Sequence, residues 1–233
     1  MDSLLILTAI ELEARALARE LELPRLGEFS FPVFGRGPVR LAPVGVRATR
    51  CESRWDRLLA GLAHPSIASA GVCGGLDPRL ESGALVVPRR VACEGGAACE
   101  IAPGGLGAGP VGMTIHDGLL LTTREIVATR QAKAALFAAT GAIAVDMESA
   151  IIVARAARAG LPALVVRAVA DHAGLDLPPA LDSVVTPEGR IRLARAVALG
   201  LTRPAVLPRA IDLGRRTRRA LASVARALAA LIG

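Results

Sequence analysis

Short apolar runs alternate along the chain with stretches whose apolar residues recur at helical spacing. The runs lie at residues 3–10, 39–44, 66–73, 84–91 and 163–169, with a shorter one at 142–145, and they predict buried strands. Helical spacing occurs at 11–21, 48–62 and 125–140, and Met147, Ala150, Ile151 and Ala154 share one face of a further predicted helix. This alternation predicts a single-domain three-layer α/β/α sandwich with a central mixed β-sheet over residues 1–233.

The end of the chain predicts a basic amphipathic helix at about residues 209–232. Its apolar stripe contains Ala210, Leu213, Thr217, Leu221, Val224, Leu228 and Leu231, and the remaining surface carries Arg209, Arg215, Arg216, Arg218, Arg219 and Arg226. Two interpretations fit this pattern. The helix docks on the body of the protein with a solvated basic face, or it lies on a membrane surface and is attracted by anionic lipid.

Two stretches interrupt the alternation. Residues 94–112 are rich in Gly, Ala and Pro and predict a loop, mobile and near a pocket, while residues 175–208 are punctuated by prolines. No apolar run reaches the roughly 18–20 residues of a membrane-spanning helix, and the start of the chain lacks the positive region of a signal peptide. We therefore expect a cytoplasmic protein, with the basic helix as its one candidate contact with the inner membrane.

The composition adds a strong positive charge. The 233 residues carry a formal net charge of +7, and Lys133 is the only lysine. An arginine-biased genome or an anionic partner would each explain this excess. Nucleic acid is disfavoured as that partner, because four Phe, one Trp and no Tyr offer few surfaces on which bases could stack.

The cysteines and histidines do not form a metal-binding pattern. Cys51, Cys73, Cys93 and Cys99 make no CxxC pair, and the three histidines are scattered, whereas a structural zinc site needs clustered ligands. We predict no metal and no cofactor, and we expect reduced thiols, as in the cytosol.

Polar residues follow three of the predicted strands, at the edge where α/β proteins bind ligands. Glu13 follows the first strand, Met147 and Glu148 follow the short strand, and Asp171 follows the β-branched strand, while residues 71–75 form a glycine-rich turn. Taken singly, each feature is more often a helix cap or a turn than part of a functional site.

Together these segments fit a known pattern. Residues 71–76, 145–150 and 165–171 resemble, in order and spacing, the nucleoside phosphorylase and nucleosidase superfamily, and residues 9–13 resemble the start of its nucleosidase branch. The prolines after residue 177 and the basic tail resemble the hopanoid-associated branch. The resemblance implies release of adenine from adenosylhopane to give ribosylhopane, by a homo-oligomer.

The resemblance also implies roles for individual residues. A purine leaves poorly as an anion, so an acid must protonate it, and Asp171 matches the acid of the family. Glu148 matches the glutamate that binds ribose, Met147 its apolar neighbour against sugar and base, and Glu13 the glutamate that orients the attacking water. The implied supporting residues are Gly45, Gly74 and Gly75 for close backbone approach, Ile126 and Val127 for the base pocket, and Arg167 for orienting Glu148 or Asp171.

Two positions depart from the family pattern. Ala170 stands where a serine commonly lies beside the acid, and Val72 stands where nucleosidases often have a serine near the nucleophile. Both changes make the pocket more apolar. Three alternatives stay open: a phosphorylase that uses phosphate as co-substrate, a nucleosidase acting on methylthioadenosine or adenosylhomocysteine, and a non-catalytic, membrane-associated ligand-binding protein.

Overall fold

The computed structural model describes residues 2–101, 114–177 and 207–232. The strands in these ranges are β1 (Leu4–Thr8), β2 (Phe34–Arg36), β3 (Val39–Pro43), β4 (Ser66–Gly75), β5 (Leu85–Val86), β6 (Arg90–Cys93), β7 (Ala98–Glu100), β8 (Ile115–His116), β9 (Leu119–Thr122), β10 (Ala144–Asp146) and β11 (Ala163–Asp171). The helices are α1 (Glu11–Glu20), α2 (Cys51–Leu59), α3 (Arg130–Thr140), α4 (Ser149–Arg158) and α5 (Leu207–Ile232), with a 3-10 turn at Val46–Ala48.

The strands form one mixed sheet in which β4 is central. β4 pairs in parallel with β1 and with β11, and its last two residues pair antiparallel with β10. From β1 the sheet continues through β3 to β2, and from β10 through β9 and β6 to β7. β5 pairs with β11 and β8. The mixed sheet confirms the sequence prediction.

Helices cover both faces of the sheet. On one face, α1 and α5 pack over alternate residues of β1, β4 and β11, among them Ile6 and Val166. On the other face, α2 and α4 pack over the intervening residues, among them Leu5 and Val165. The predicted α/β/α layering is therefore confirmed, and it follows from strands whose side chains are apolar on both faces.

The terminal helix α5 is part of the core. Leu221, Val224 and Leu228 are at most 2% exposed and pack with residues of β11 and α1, while Arg209, Arg215 and Arg218 are exposed. Of the two interpretations of this helix, docking on the body of the protein is the one that the structure shows for its apolar stripe. Within the described ranges, no helix is both long enough and apolar enough to span a bilayer.

Several predicted boundaries were wrong. The strand predicted at 84–91 is divided into β5 and β6 around Pro88, which has no N–H for a strand ladder. β2 was not predicted, and β7 lies inside the loop predicted at 94–112. The helix predicted at 125–140 begins only at Arg130, because Thr129 is its N-cap. The Thr129 side chain accepts a hydrogen bond from the Ala132 N–H. The rest of the predicted loop and most of 175–208 lie outside the described residues.

The predicted face of α4 was also wrong. Ile151 is 36% exposed and Ala154 is exposed, whereas Ile152, Val153 and Ala156 are buried. The helix begins at Ser149, so Met147 precedes it and cannot set its face. Ile152 packs against the sheet with α2, and Val153 packs with β6 and β11, so the orientation is set by both neighbouring clusters.

Candidate active site

The carboxyl-terminal half of β4 lines the candidate site. Glu13, on the first turn of α1, is 3% exposed, and its Oε2 accepts hydrogen bonds from the backbone N–H groups of Ala9 and Ile10 at 3.1 and 3.2 Å. Its Oε1 accepts from the N–H of Val72 on β4 at 2.9 Å. Gly71 permits this approach, since a Cβ there would lie 2.6 Å from Glu13 Oε1, and its φ is +151°. The carboxylate is thus fixed against β4 by three backbone donors.

A buried ion cluster lies beside Glu13. Arg167, in the middle of β11, is fully buried, and its Nη2 lies 2.8 Å from Asp146 Oδ2 and 3.9 Å from Glu148 Oε2. The guanidinium also donates hydrogen bonds to the hydroxyls of Ser69 and Ser149 at 3.0 to 3.2 Å. A charge buried this deeply needs such partners. The structure therefore places Arg167 beside Glu148, which is one of the two carboxyl groups that it was predicted to orient.

Glu148 is held by a strained turn. Its Oε1 accepts a hydrogen bond from the backbone N–H of Arg47 at 2.8 Å. Arg47 and Ala48 have φ values of +57° and +52°, and Gly45 has +83°. Non-glycine residues in this region cost free energy and cluster at functional sites. The predicted site residue Gly45 thus supplies the entry to the turn that holds Glu148.

Asp171 lies at the far end of the same strand pair. The register between β11 and β4 shifts between Val169 and Asp171, which places Asp171 opposite Gly74. A Cβ on Gly74 would come within 3.2 Å of Asp171 Oδ2, and one on Gly75 within 3.1 Å of Val169. The two predicted glycines therefore admit β11 side chains against β4, and the nearest of these is the predicted acid.

Lys133 of α3 is the partner of Asp171. Its Nζ lies 2.6 Å from Asp171 Oδ2 and donates to the carbonyl oxygens of His172 and Leu175 at 3.0 Å each. Lys133 is 0% exposed. Arg167 makes its ion pairs with Asp146 and Glu148, and the cation that contacts Asp171 is Lys133 rather than Arg167.

Burial dominates the titration of the site. It raises the pKa of Glu13 and of Asp171, against the lowering effects of Arg167 and Lys133 respectively. Burial also raises the pKa of Glu148 to about 8, with Arg167 opposing and Asp146 reinforcing the shift. Carboxyl groups with raised pKa values can hold a proton at neutral pH, which is the requirement for a general acid.

The remaining predicted residues lie around this core. Met147 is half-buried between β10 and α4. Ile126 and Val127 lie in the connection between β9 and α3, both half-buried, and Val127 packs against the cluster that contains Leu76 and Val145. The structure thus brings Glu13, Glu148, Asp171 and Arg167 to one edge of the sheet and leaves Ile126 and Val127 beside it.

Sequence reasoning missed three groups of this site. Lys133 carried one signal, as the only lysine of the chain. Asp146 was noticed only as a neighbour of Glu148, yet it accepts from the Thr122 hydroxyl at 2.7 Å and from the Ser149 N–H at 3.1 Å. Ser69 had no signal, because a serine inside a strand has many uses. In the described ranges, no three His, Cys, Asp or Glu residues group as a metal site would require.

Comparison with known proteins agrees with this geometry. Residues 97–198 match the family model described as the phosphorylase superfamily. A search of curated proteins gives no significant sequence match.

Solved structures of several nucleoside-cleaving enzymes have the same fold over nearly the whole chain. A point mutant of Helicobacter pylori MTAN, with 5′-methylthioadenosine in its active site, has a TM-score of 0.72 at 14% identity and covers 100% of this chain and 98% of its own. The 5′-methylthioadenosine/S-adenosylhomocysteine nucleosidase of Neisseria meningitidis, with methylthio-immucillin-A, has 0.71 at 16%, covering 100% and 99%. The futalosine hydrolase of Helicobacter pylori has 0.70 at 14%, covering 99% and 97%.

Proposed function

We propose that this protein is a member of the phosphorylase superfamily and that it hydrolyses the N-glycosidic bond of an adenine nucleoside. The observation that carries the proposal is that Glu13, Glu148 and Asp171, from three distant segments, reach one end of β4 as buried carboxyl groups. Glu13 binds β4 at Val72 and Asp171 contacts it at Gly74. Two residues of a strand span roughly 7 Å, so the points at which the proposed acid and the proposed water-orienting carboxylate contact β4 are about that far apart.

Asp171 is the proton donor to the leaving base. The C–N bond to the purine breaks with its electron pair moving to the ring, and the proton of the Asp171 carboxyl moves to N7 of the ring. Burial raises the pKa of Asp171, which keeps that proton available at neutral pH. Asp171 ends the step as a carboxylate.

Glu148 stabilises the sugar. As the base leaves, the ribose ring gains oxocarbenium character. This positive charge favours the ionised form of Glu148, whose negative charge then lowers the energy of that state. Arg167 and the Arg47 N–H hold the Glu148 side chain in place. Its second function is to accept hydrogen bonds from the ribose hydroxyls, with Met147 beside it as an apolar surface.

Glu13 directs the nucleophile. A water that donates a hydrogen bond to Glu13 attacks the anomeric carbon and passes its proton to that carboxylate. A fixed carboxylate at this position disfavours phosphate, since two anions would be held together. The proposal is therefore hydrolysis, with phosphorolysis as its nearest rival.

The decisive experiment measures adenine release from methylthioadenosine, adenosylhomocysteine and adenosylhopane, with and without phosphate, by mass spectrometry. Adenine and the free ribosyl product without phosphate would support hydrolysis. A phosphate requirement with a ribose-1-phosphate product would replace hydrolysis by phosphorolysis. No adenine from any substrate at micromolar enzyme would favour a ligand-binding protein that keeps the fold.

For the specific substrate we propose adenosylhopane, cleaved to adenine and ribosylhopane. The support is the resemblance of the proline-punctuated segment and basic tail to the hopanoid-associated branch, and the apolar Val72 and Ala170 where serines are common in the family. The solved structures favour methylthioadenosine as the second candidate substrate, since one of them holds it in its active site. The ratio of kcat/KM for the two substrates decides between them.

A lipid substrate suggests peripheral contact with an anionic membrane, and we propose that α5 provides it. Its exposed arginines Arg209, Arg215 and Arg218 would make that contact, because its apolar stripe is buried in the core. Replacing these three by serine should weaken pelleting with anionic vesicles and leave the fold intact. Pelleting equal to that of the parent protein would contradict the proposed membrane contact.

We also propose a homo-oligomer, which the resemblance implies, and light scattering measures its mass in solution.

A further inference from the structure

Asp171, which we assign as the acid, lies at the end of β11 and is bound by a side chain of another element, Lys133 of α3. Ala170, at the position where the family commonly has a serine, packs in the core between the sheet and α5 and has no polar group. Lys133, which is 38 positions away in the chain, instead reaches Asp171 Oδ2 at 2.6 Å. Both side chains are largely buried, at 0% and 11% exposed for Lys133 and Asp171. The contact is therefore shielded from solvent and from salt.

We propose that Lys133 is the positioning residue of the acid: its ammonium anchors Oδ2 of Asp171 and stabilises the carboxylate that remains after the other oxygen has given its proton to the purine. This inference rests on the proposed function. Atoms and charge balance, since one proton moves from Asp171 to the base, one moves from water to Glu13, and Lys133 keeps all of its protons.

The geometry explains why this position holds a lysine. An ammonium has three donors that diverge from one nitrogen. Here they meet Asp171 Oδ2, the His172 carbonyl and the Leu175 carbonyl at 3.0 Å or less. The planar fork of an arginine donates in one plane and cannot meet these three acceptors from one point. In a chain whose other basic side chains are arginine or histidine, the single lysine lies where a compact cation is required.

Lys133 also fixes the segment that follows the acid. Besides the two carbonyls held by the ammonium, the Arg130 N–H donates to Asp176 Oδ1 and the Leu177 N–H donates to the Ala128 carbonyl, both at 2.8 Å. α3 and the residues after β11 are thus joined at four points, with Lys133 at the buried end. The acid therefore sits on a braced segment, which limits the positions of its free oxygen.

Three groups face Asp171 from the elements around it. They are Lys133 of α3, His172 next in the chain, and Cys73 of β4. Burial raises the pKa of the Cys73 thiol and keeps it neutral, so the charge that acts on Asp171 comes chiefly from Lys133, with a smaller contribution from His172. Removing Lys133 should make Asp171 hold its proton to higher pH and release it less readily.

The test compares Lys133→Met, which keeps the length and removes the charge, with Arg130→Met on the same helix. Arg130 pairs with Asp176 at 3.6 Å and is exposed, so the control removes a cation that does not contact the acid. For Lys133→Met we expect kcat to fall about 10- to 100-fold with KM changed less than about threefold, and the alkaline limb of kcat to move to higher pH. Arg130→Met should stay within about twofold of the parent. Unchanged kcat and an unmoved limb in Lys133→Met would overturn the inference.

A second measurement needs no substrate and separates this inference from the proposed function. Thermal unfolding is recorded from about pH 5 to about pH 9 for the parent, Lys133→Met, Asp171→Asn and the double variant. If Lys133 acts on Asp171, the loss of Tm in Lys133→Met grows with pH, and this growth disappears in the Asp171→Asn background, where only the loss of the two carbonyl contacts remains. A loss that is equal at every pH and in both backgrounds would show a merely structural lysine, even if the parent cleaves nucleosides. If the parent cleaves nothing and the loss still depends on pH and on Asp171, the pairing stands and the proposed function fails. The double variant is neutral at both positions, so it remains measurable if Lys133→Met is too unstable.

Discussion

The two ends of the site balance their charges differently. Around Arg167, Asp146, Glu148 and Glu13 supply three carboxyl groups for one cation, and serine hydroxyls and backbone N–H groups complete the network. At the other end, Asp171 forms an ion pair with Lys133, so that one carboxyl group meets one cation. The first arrangement is rigid and rich in acceptors, which suits binding of a ribose and a water. The second leaves one carboxyl oxygen for a proton transfer.

The comparison teaches that burial alone does not assign roles to carboxyl groups. Burial raises the pKa of Glu13, Glu148 and Asp171 alike. We assign different roles because their partners differ: Glu13 accepts hydrogen bonds from three backbone N–H groups, whereas Asp171 accepts one through a single carboxyl oxygen from the ammonium group of Lys133. Substitutions on the two sides should therefore separate chemistry from binding and stability.

The largest effect is expected on the Asp171 side. Asp171→Asn keeps the shape and removes the acid, so kcat should fall roughly 10²- to 10⁴-fold while binding of a non-reactive nucleoside analogue changes little. Steady-state kinetics and calorimetric titration with the analogue measure the two quantities. Glu148→Gln serves as the control, since the loss of a group that accepts hydrogen bonds from the ribose should also weaken binding of the analogue. Normal turnover in Asp171→Asn would contradict the assignment of acid catalysis to the Asp171 end of the site.

On the Arg167 side, Arg167→Met should lower stability more than any other single change in the site. It leaves Asp146 and Glu148 without their buried cation, and breaking such a pair costs about 3–5 kcal/mol. Protonation of Glu148 would offset part of this cost. Chemical denaturation at neutral pH measures the change, with Arg15→Met as an exposed control whose pair with Glu11 lies on the surface of α1. A cost equal to that of the control would contradict the proposed cluster.

Glu148 should also make stability depend on pH. Its pKa in the folded protein is about 8, against an ordinary value of 4.5, so the folded state favours the protonated form. The stabilisation from this group is complete below about pH 4.5 and is lost as the pH rises through about 8. Glu148→Gln should therefore show a Tm that falls less between about pH 5 and about pH 9, by a few degrees. Parallel curves for parent and variant would show that the carboxyl titrates normally.

The smallest effect is expected for Ser69→Ala, which removes one of the hydroxyls that Arg167 binds. Ser149 continues to accept from the same guanidinium, so the cost should be about 1–2 kcal/mol. Denaturant unfolding measures it, and kcat should stay near the parent value because Asp171 is untouched. A loss of kcat comparable to that of Asp171→Asn would show that the two ends of the site are coupled.

The layers of the fold and the carboxyl groups of the site could be predicted because their signals are local. The apolar run at 163–169 predicts a strand from neighbouring residues alone, and Asp171 follows this run closely in the chain. The partner of Asp171 could not be predicted in this way. Lys133 reaches it only because α3 begins at Arg130, five positions later than the pattern indicated, and because the β11 register shifts before Asp171.

The sequence by itself determined most of the strands and helices, the α/β layering, and the identity of the carboxyl groups at the sheet edge, because each of these depends on residues close together in the chain. Tertiary structure alone decided the buried face of α4, the docking of α5 and the partners of the four acidic groups. These depend on side chains that meet across tens of residues, where the choice of partner is made by packing space and by the need of every buried charge for a counter-charge or a hydrogen bond.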